Sequence, residues 1–150
     1  MTTIVDSYSE KDTEAIAKEL AEKCLAGDIF ALVGDLGVGK TAFAKGFARG
    51  LARDEPIVSP TFTIVQIYDR GRMPLYHFDV YRIGDISEMD EIGYEDCFFG
   101  EGVSLVEWAD MIEQLMPKET VWVTIEKDLS KGTDYRKITI ESNKDEDNRD

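Results

Sequence analysis

Residues 29–52 read IFALVGDLGVGKTAFAKGFARGLA, an apolar run, a glycine-rich octet and a stretch with an aromatic or leucine at every fourth position. The run Ile29 to Val33 is short, apolar and bounded, as a buried strand is. Phe43, Phe47 and Leu51 recur at helical spacing. Between them, GDLGVGKT (residues 34–41) matches GxxxxGK[ST] through Gly34, Gly39, Lys40 and Thr41. A strand, a loop and a helix in this order form a phosphate cradle. Gly37 and Gly39 admit backbone angles closed to other residues, which turns successive N–H groups toward an anion at the positive end of the helix. Lys40 would then reach the β- and γ-phosphates, and the Thr41 hydroxyl would bind magnesium. The expected nucleotide-binding residues are Gly34, Asp35, Gly37, Val38, Gly39, Lys40, Thr41 and Ala42.

Such a site also needs an acidic residue at the carboxyl end of a neighbouring strand, to hold the metal and orient water. Asp79 follows the apolar run LYHF and Glu107 follows VSLV, so both meet the requirement, although each alone could equally be a surface or capping carboxylate. The expected metal set is Thr41, Asp79 and Glu107, with ATP and Mg2+ as cofactors. His77 shares strand parity with Asp79, which allows a hydrogen bond inside the site or an ordinary core position. Ser59, Thr61 and Thr63, in SPTFT, offer hydroxyls for a switch segment that senses the γ-phosphate; a plain turn fits them equally. Asn143 to Glu146 (NKDE) imitates a guanine-reading NKxD but carries glutamate in the aspartate position.

Working outward, TTIVDS reads as a short strand, and Ser9 with Asp12 three residues later opens a helix containing Ile16, Leu20 and Cys24. PIVSPTFTIVQIYD and LYHFDVYR read as strand-like segments around the turn DRGRMP. The acidic stretch 85–102 accommodates one or two short helical turns within EMDEIGYEDCFF. VSLVEW reads as a buried strand, ADMIEQLM as a short helix stopped by Pro117, and TVWVTIEKD and YRKITIES as two strands around LSKGTD. The expected architecture is α/β, a P-loop NTPase three-layer sandwich with a mainly parallel sheet and antiparallel additions at its end. Residues 1–142 would form a single domain, and 143–150 a charged tail.

The 150 residues suit one domain and leave little over for a second substrate-binding unit. Apolar residues make up 43% and charged ones 32%, and no apolar run reaches the roughly 20 residues of a membrane-spanning helix. MTTIVDSYSEKD lacks the basic start and apolar centre of a secretory signal, so the expected location is cytoplasmic. Cys24 and Cys97 show no ligand or disulfide spacing. The 17 basic and 31 acidic side chains give a net charge of −14, which repels phosphate backbones and makes unaided tRNA binding unfavourable.

GDLGVGKTAFAKGFARGL, SPTFTIVQIY, LYHFDVYR and LVEWAD, taken in this order over about Ala26 to Asp110, closely resemble the TsaE family of bacterial ATPases of tRNA threonylcarbamoyladenosine biosynthesis. The resemblance implies that Lys40 and Thr41 bind phosphates and magnesium and that Asp79 and Glu107 support the metal and hydrolysis. It further implies that Trp108 is functionally required and that residues 59–63 act as a switch. Weak ATP hydrolysis stimulated by TsaB- and TsaD-type partners, which hold the tRNA and perform the transfer, is implied in the same way. Ala109 departs from the proline that relatives often carry after Glu-Trp, a change that would loosen the turn without removing a ligand. No arginine stands out as a transition-state finger, with Arg82 the nearest candidate; a finger supplied in trans fits partner stimulation. A small-metabolite or nucleotide kinase would share the loop but needs an arginine-bearing lid, and only Arg136 lies between Glu107 and the tail. A nucleotide-sensing binding module is the remaining alternative. Ser9 and the LSKGTD loop are the segments expected near the base.

Overall fold

The computed structural model of the protein describes residues 1–35, 37–51, 64–69 and 71–142. The switch candidates Ser59, Thr61 and Thr63, the segment PIVSPTFT and the NKDE tail lie outside these described residues. In chain order the elements are β1 (Thr2–Ser7), α1 (Glu10–Lys23), β2 (Ile29–Val33), α2 (Lys40–Gly50), β3 (Val65–Tyr68) and β4 (Leu75–Asp79). They continue with α3 (Ser87–Glu91), α4 (Tyr94–Phe98), β5 (Val103–Glu107), β6 (Val121–Lys127) and β7 (Arg136–Ser142).

One seven-stranded sheet runs in the order β1-β7-β6-β2-β5-β4-β3. The four central strands β6, β2, β5 and β4 are parallel. β7 and β1 add antiparallel on one side, and β3 adds antiparallel to β4 on the other. Antiparallel additions therefore close both edges, not the chain's end alone, because the hairpin turn before Leu75 returns β4 alongside β3.

Both faces of the sheet are covered. Along β2, Phe30 and Leu32 join the cluster under α1 and α2, whereas Ile29 and Ala31 join the cluster under α3 and α4. This period of two, applied to a strand with helices on both faces, explains why IFALV is apolar throughout. Phe47 meets Phe30 edge-on at 4.9 Å and Phe43 at 6.3 Å, all buried. Burial of each such ring is worth about 1.5–3 kcal/mol.

Helix α1 starts as its cap residues dictate. The Ser9 side chain accepts from the Asp12 amide at 3.1 Å, and Asp12 accepts from the Tyr8 amide at 2.9 Å. Its far end is closed by Arg72, whose guanidinium donates to the carbonyls of Ala21 and Cys24 at 2.8 and 3.2 Å. Helices α1 and α2 approach very closely. A methyl group placed on Gly46 would stand 2.1 Å from the Glu14 carbonyl oxygen, and one on Gly50 would stand 2.5 Å from that of Lys18.

The stretch 109–115 is the short helix expected of ADMIEQLM, and it ends before Pro117. It forms 3-10 turns with a break at Ile112 (φ −128°), not an α-helix. Ala109 and Ile112 are fully buried and Leu115 packs against the same cluster, a repeat of three that matches the three-residue turn of a 3-10 helix. Among the described residues, no helix is long and apolar enough to cross a membrane.

Candidate functional site

The glycine-rich loop joins the carboxyl end of central strand β2 to the start of α2. Gly37 (φ 76°) and Gly39 (φ 112°) both adopt the left-handed region that the sequence assigns to them. Val38 is not a surface loop residue; its side chain is 2% exposed and joins the core under α2. Its carbonyl accepts from Arg136 Nε at 2.7 Å, while Arg136 Nη1 donates to the carbonyls of Thr133 and Tyr135. A trans peptide directs its N–H opposite to its C=O. Drawing the Val38 carbonyl toward β7 therefore turns the Gly39 amide the other way. Gly34 packs against β6, where a methyl group would meet the Ile125 carbonyl at 2.7 Å.

A cavity of about 480 Å³ opens on this loop. Gly37, Gly39, Lys40, Thr41, Ala42, Asp79, Glu107 and Trp108 all border it. Residues from three separate segments thus meet at the carboxyl end of the parallel strands, where open α/β sheets receive ligands. Of the expected set, Gly34, Asp35 and Val38 support the loop without lining the cavity. The wall toward α1 is formed by Glu10 and Glu14, with Lys45 and Arg49 from α2, and neither Ser9 nor residues 129–134 line it. Arg49 is paired with Glu14 at 2.9 Å. Arg82 is exposed and does not border the cavity.

Lys40 is 6% exposed. Its ammonium donates to the carbonyl of Gly34 and, at 3.3 Å, to that of Asp35, and stands 3.6 Å from the centroid of the Trp108 ring. Burial pushes its pKa below the usual lysine value, against the opposing pull of Glu107, Asp79, Asp110 and Asp35. Trp108 holds φ 62° and ψ 34°, the one positive φ outside glycine among the described residues. That backbone costs about 1–3 kcal/mol and is a feature of functional sites. The strain aims the indole beneath Lys40 and beside Tyr81, 4.6 Å away between ring centroids.

Asp79 and Glu107 end β4 and β5 and face one another in register. Burial raises the Asp79 pKa, the Tyr81 amide bond at 3.0 Å opposes the rise, and the Glu107 charge adds to it. Glu107 is itself buried at 4% exposure. Two desolvated carboxylates beside one hydroxyl-bearing residue make an oxygen-only donor set, which suits a hard divalent cation. No group of three or more His, Cys, Asp or Glu side chains arranged to hold a metal occurs among the described residues. His77 is fully buried, and its Nε2 lies 2.5 Å from Glu107 Oε2. The two readings open in the sequence are both met in part, since His77 occupies a core position and also contacts Glu107.

Sequence reasoning missed the role of Arg136. It lies roughly a hundred residues from Val38 along the chain, no motif surrounds it, and only the pairing of β7 onto β6 and β6 onto β2 brings it to the loop. Cys24 and Cys97 are buried free thiols, as their spacing suggested.

The family described as threonylcarbamoyl adenosine biosynthesis protein TsaE matches residues 7–138. The tRNA threonylcarbamoyladenosine biosynthesis protein TsaE of Bacillus subtilis is 48% identical over 134 residues, covering 89% of this chain and 82% of its own length. That of Treponema pallidum is 37% identical over 134 residues, covering 89% of this chain and 96% of its own. The crystal structure of YdiB from Bacillus subtilis superposes with a TM-score of 0.83 at 39% identity, covering 99% of this chain and 88% of that one. With a family match across nearly its whole described length and relatives this similar, the chain belongs to the TsaE family of tRNA threonylcarbamoyladenosine biosynthesis proteins.

Proposed function

We propose that this chain is a Mg2+-dependent ATPase, slow by itself and stimulated by TsaB- and TsaD-type partners, that serves the modification of the adenosine beside the anticodon. The observation that carries the reading is the convergence of buried Lys40, the left-handed Gly37 and Gly39, and the registered pair Asp79 and Glu107 around one cavity.

The amides of the loop and of the first turn of α2 would receive the phosphate oxygens, since the amino end of a helix leaves its N–H groups without intrahelical partners. Lys40 would exchange its carbonyl contacts and its seat on Trp108 for the β- and γ-phosphates. Thr41, Asp79 and Glu107 would hold the cation, whose contribution when bound is to neutralise charge developing on the transferred phosphoryl group. Glu107 or Asp79 would orient the attacking water. The net charge of −14 leaves tRNA contact to the partners. Ser59, Thr61 and Thr63 retain their proposed role as a switch.

The test measures phosphate release by the chain alone and with TsaB- and TsaD-type proteins, with Lys40→Ala as control. Release that rises several-fold with the partners and disappears in Lys40→Ala supports the proposal. Phosphate delivered to a small acceptor would instead mark a kinase, and binding with no release under either condition a nucleotide sensor.

A further inference from the structure

His77 and Asp79 project from the same face of β4, as do Leu105 and Glu107 from β5, and the registered pairs are His77 with Leu105 and Asp79 with Glu107. His77 thus reaches Glu107 diagonally across the two strands, a span open to long or aromatic side chains. The contact is 2.5 Å between side chains that are 0% and 5% exposed. The other ring nitrogen, Nδ1, has no hydrogen-bond partner among the described residues.

This is a costly way to fill a core position. Leu75, two residues earlier on the same face, and Leu105 opposite are aliphatic and fully buried. An imidazole at such a place leaves one nitrogen desolvated and without a partner among the described residues, a penalty of about 1–3 kcal/mol that an aliphatic side chain would avoid. The polar group that gains from the ring is Glu107. A carboxylate accepts only, so the ring presents Nε2–H and engages Oε2.

We propose that His77 is a positioning residue that commits one oxygen of Glu107, so that this carboxylate offers a single oxygen to the cation and thereby favours Mg2+ over Ca2+. Mg2+ requires near-octahedral geometry with compact donors, whereas Ca2+ readily accepts both oxygens of a carboxylate in a larger, irregular shell. A Glu107 free to turn would serve Ca2+ better and Mg2+ worse. The inference rests on the proposed metal-supporting role of Glu107.

The test titrates Mg2+ and Ca2+ by calorimetry into the full-length chain saturated with a non-hydrolysable ATP analogue. His77→Leu is expected to weaken Mg2+ binding about tenfold, the scale on which partners of metal ligands act, with Ca2+ affected less, so that the selectivity ratio falls. His77→Gln, which places an amide nitrogen where Nε2 stands, restores the ratio, and His77→Asn does not. In a Glu107→Gln background, His77→Leu has no further effect. If Glu107→Gln changes metal binding while the histidine variants keep the wild-type ratio, the inference is wrong and the role of Glu107 stands. If Glu107→Gln changes nothing, both are wrong. Should His77→Leu fail to fold, the Gln and Asn pair carries the test. His77 is the only histidine in the chain, so its ring N–H resonance needs no assignment; it is expected far downfield in the wild type and moved in Glu107→Gln.

Discussion

Lys40 rests its ammonium 3.6 Å above the Trp108 indole, and Trp108 is held there by a left-handed backbone. The two residues belong to different parts of the chain, one opening α2 and the other following β5, and each is placed at some energetic cost. A buried ammonium is desolvated, and a tryptophan with positive φ is strained. The contact returns part of that cost through the attraction of the cation for the ring face, about 1–2 kcal/mol when water is excluded.

Trp108→Gly and Trp108→Ala separate strain from contact. Both lose the ring, but only alanine retains the left-handed penalty, so glycine is expected to be the more stable by about 1 kcal/mol in urea unfolding. Both variants should lose nucleotide-dependent activity to a similar degree. Equal stabilities would show that the backbone of residue 108 relaxes.

Asp79→Asn tests the electrostatics. The folded-state pKa of Asp79 is raised, so between the unfolded value of 3.8 and the folded value the native chain binds more protons, and stability falls as pH rises through that window. Above it the ionised carboxylate is a fixed liability. Asp79→Asn is therefore expected to be more stable than wild type at pH 7 without Mg2+ or nucleotide, with the gap closing as pH falls toward 3.8. Denaturant midpoints across that range check the sign; a gap that widens on acidification would refute it.

Arg136→Leu removes the guanidinium that holds the Val38 carbonyl. ATP-analogue affinity is expected to fall about tenfold, equivalent to about 1.4 kcal/mol, while the melting temperature changes by only a few degrees. Arg136→Lys should not rescue, because an ammonium cannot reproduce a fork that bonds three carbonyls at once.

Gly46→Ala runs against helix propensity. Alanine gains up to about 1 kcal/mol over glycine inside an exposed helix. Here its methyl group would sit 2.1 Å from the Glu14 carbonyl oxygen, so the helices must part, and a net loss of about 1–3 kcal/mol is expected. Thermal unfolding of the unliganded variant measures it.

Much of the α/β plan was legible because its signals are local. Apolar runs with abrupt ends marked β2 and β5, the Ser9 and Asp12 pair marked the start of α1, and glycines at 37 and 39 marked the left-handed turns of the loop. Asp79 and Glu107 were legible by their place at strand ends, and they do meet. A short helix at 109–115 was legible, but its 3-10 character was not, because a repeat of three over seven residues differs little from a repeat of 3.6. The reach of β3 and β1 to the two edges of the sheet could not be read, since pairing partners far apart in the chain leave no local trace.

By itself, the sequence determined that a strand, a glycine-rich loop and a helix follow one another and that a carboxylate ends each of two apolar strands. Those properties depend on residue conformation and on alternation, which act over a few positions. Tertiary structure alone decided that Arg136 draws back the Val38 carbonyl, that His77 spends its polar contact on Glu107, and that Lys40 lies on Trp108. Each of these joins side chains from separate strands or helices, and their meeting depends on strand order and register, which are set only when the whole sheet packs.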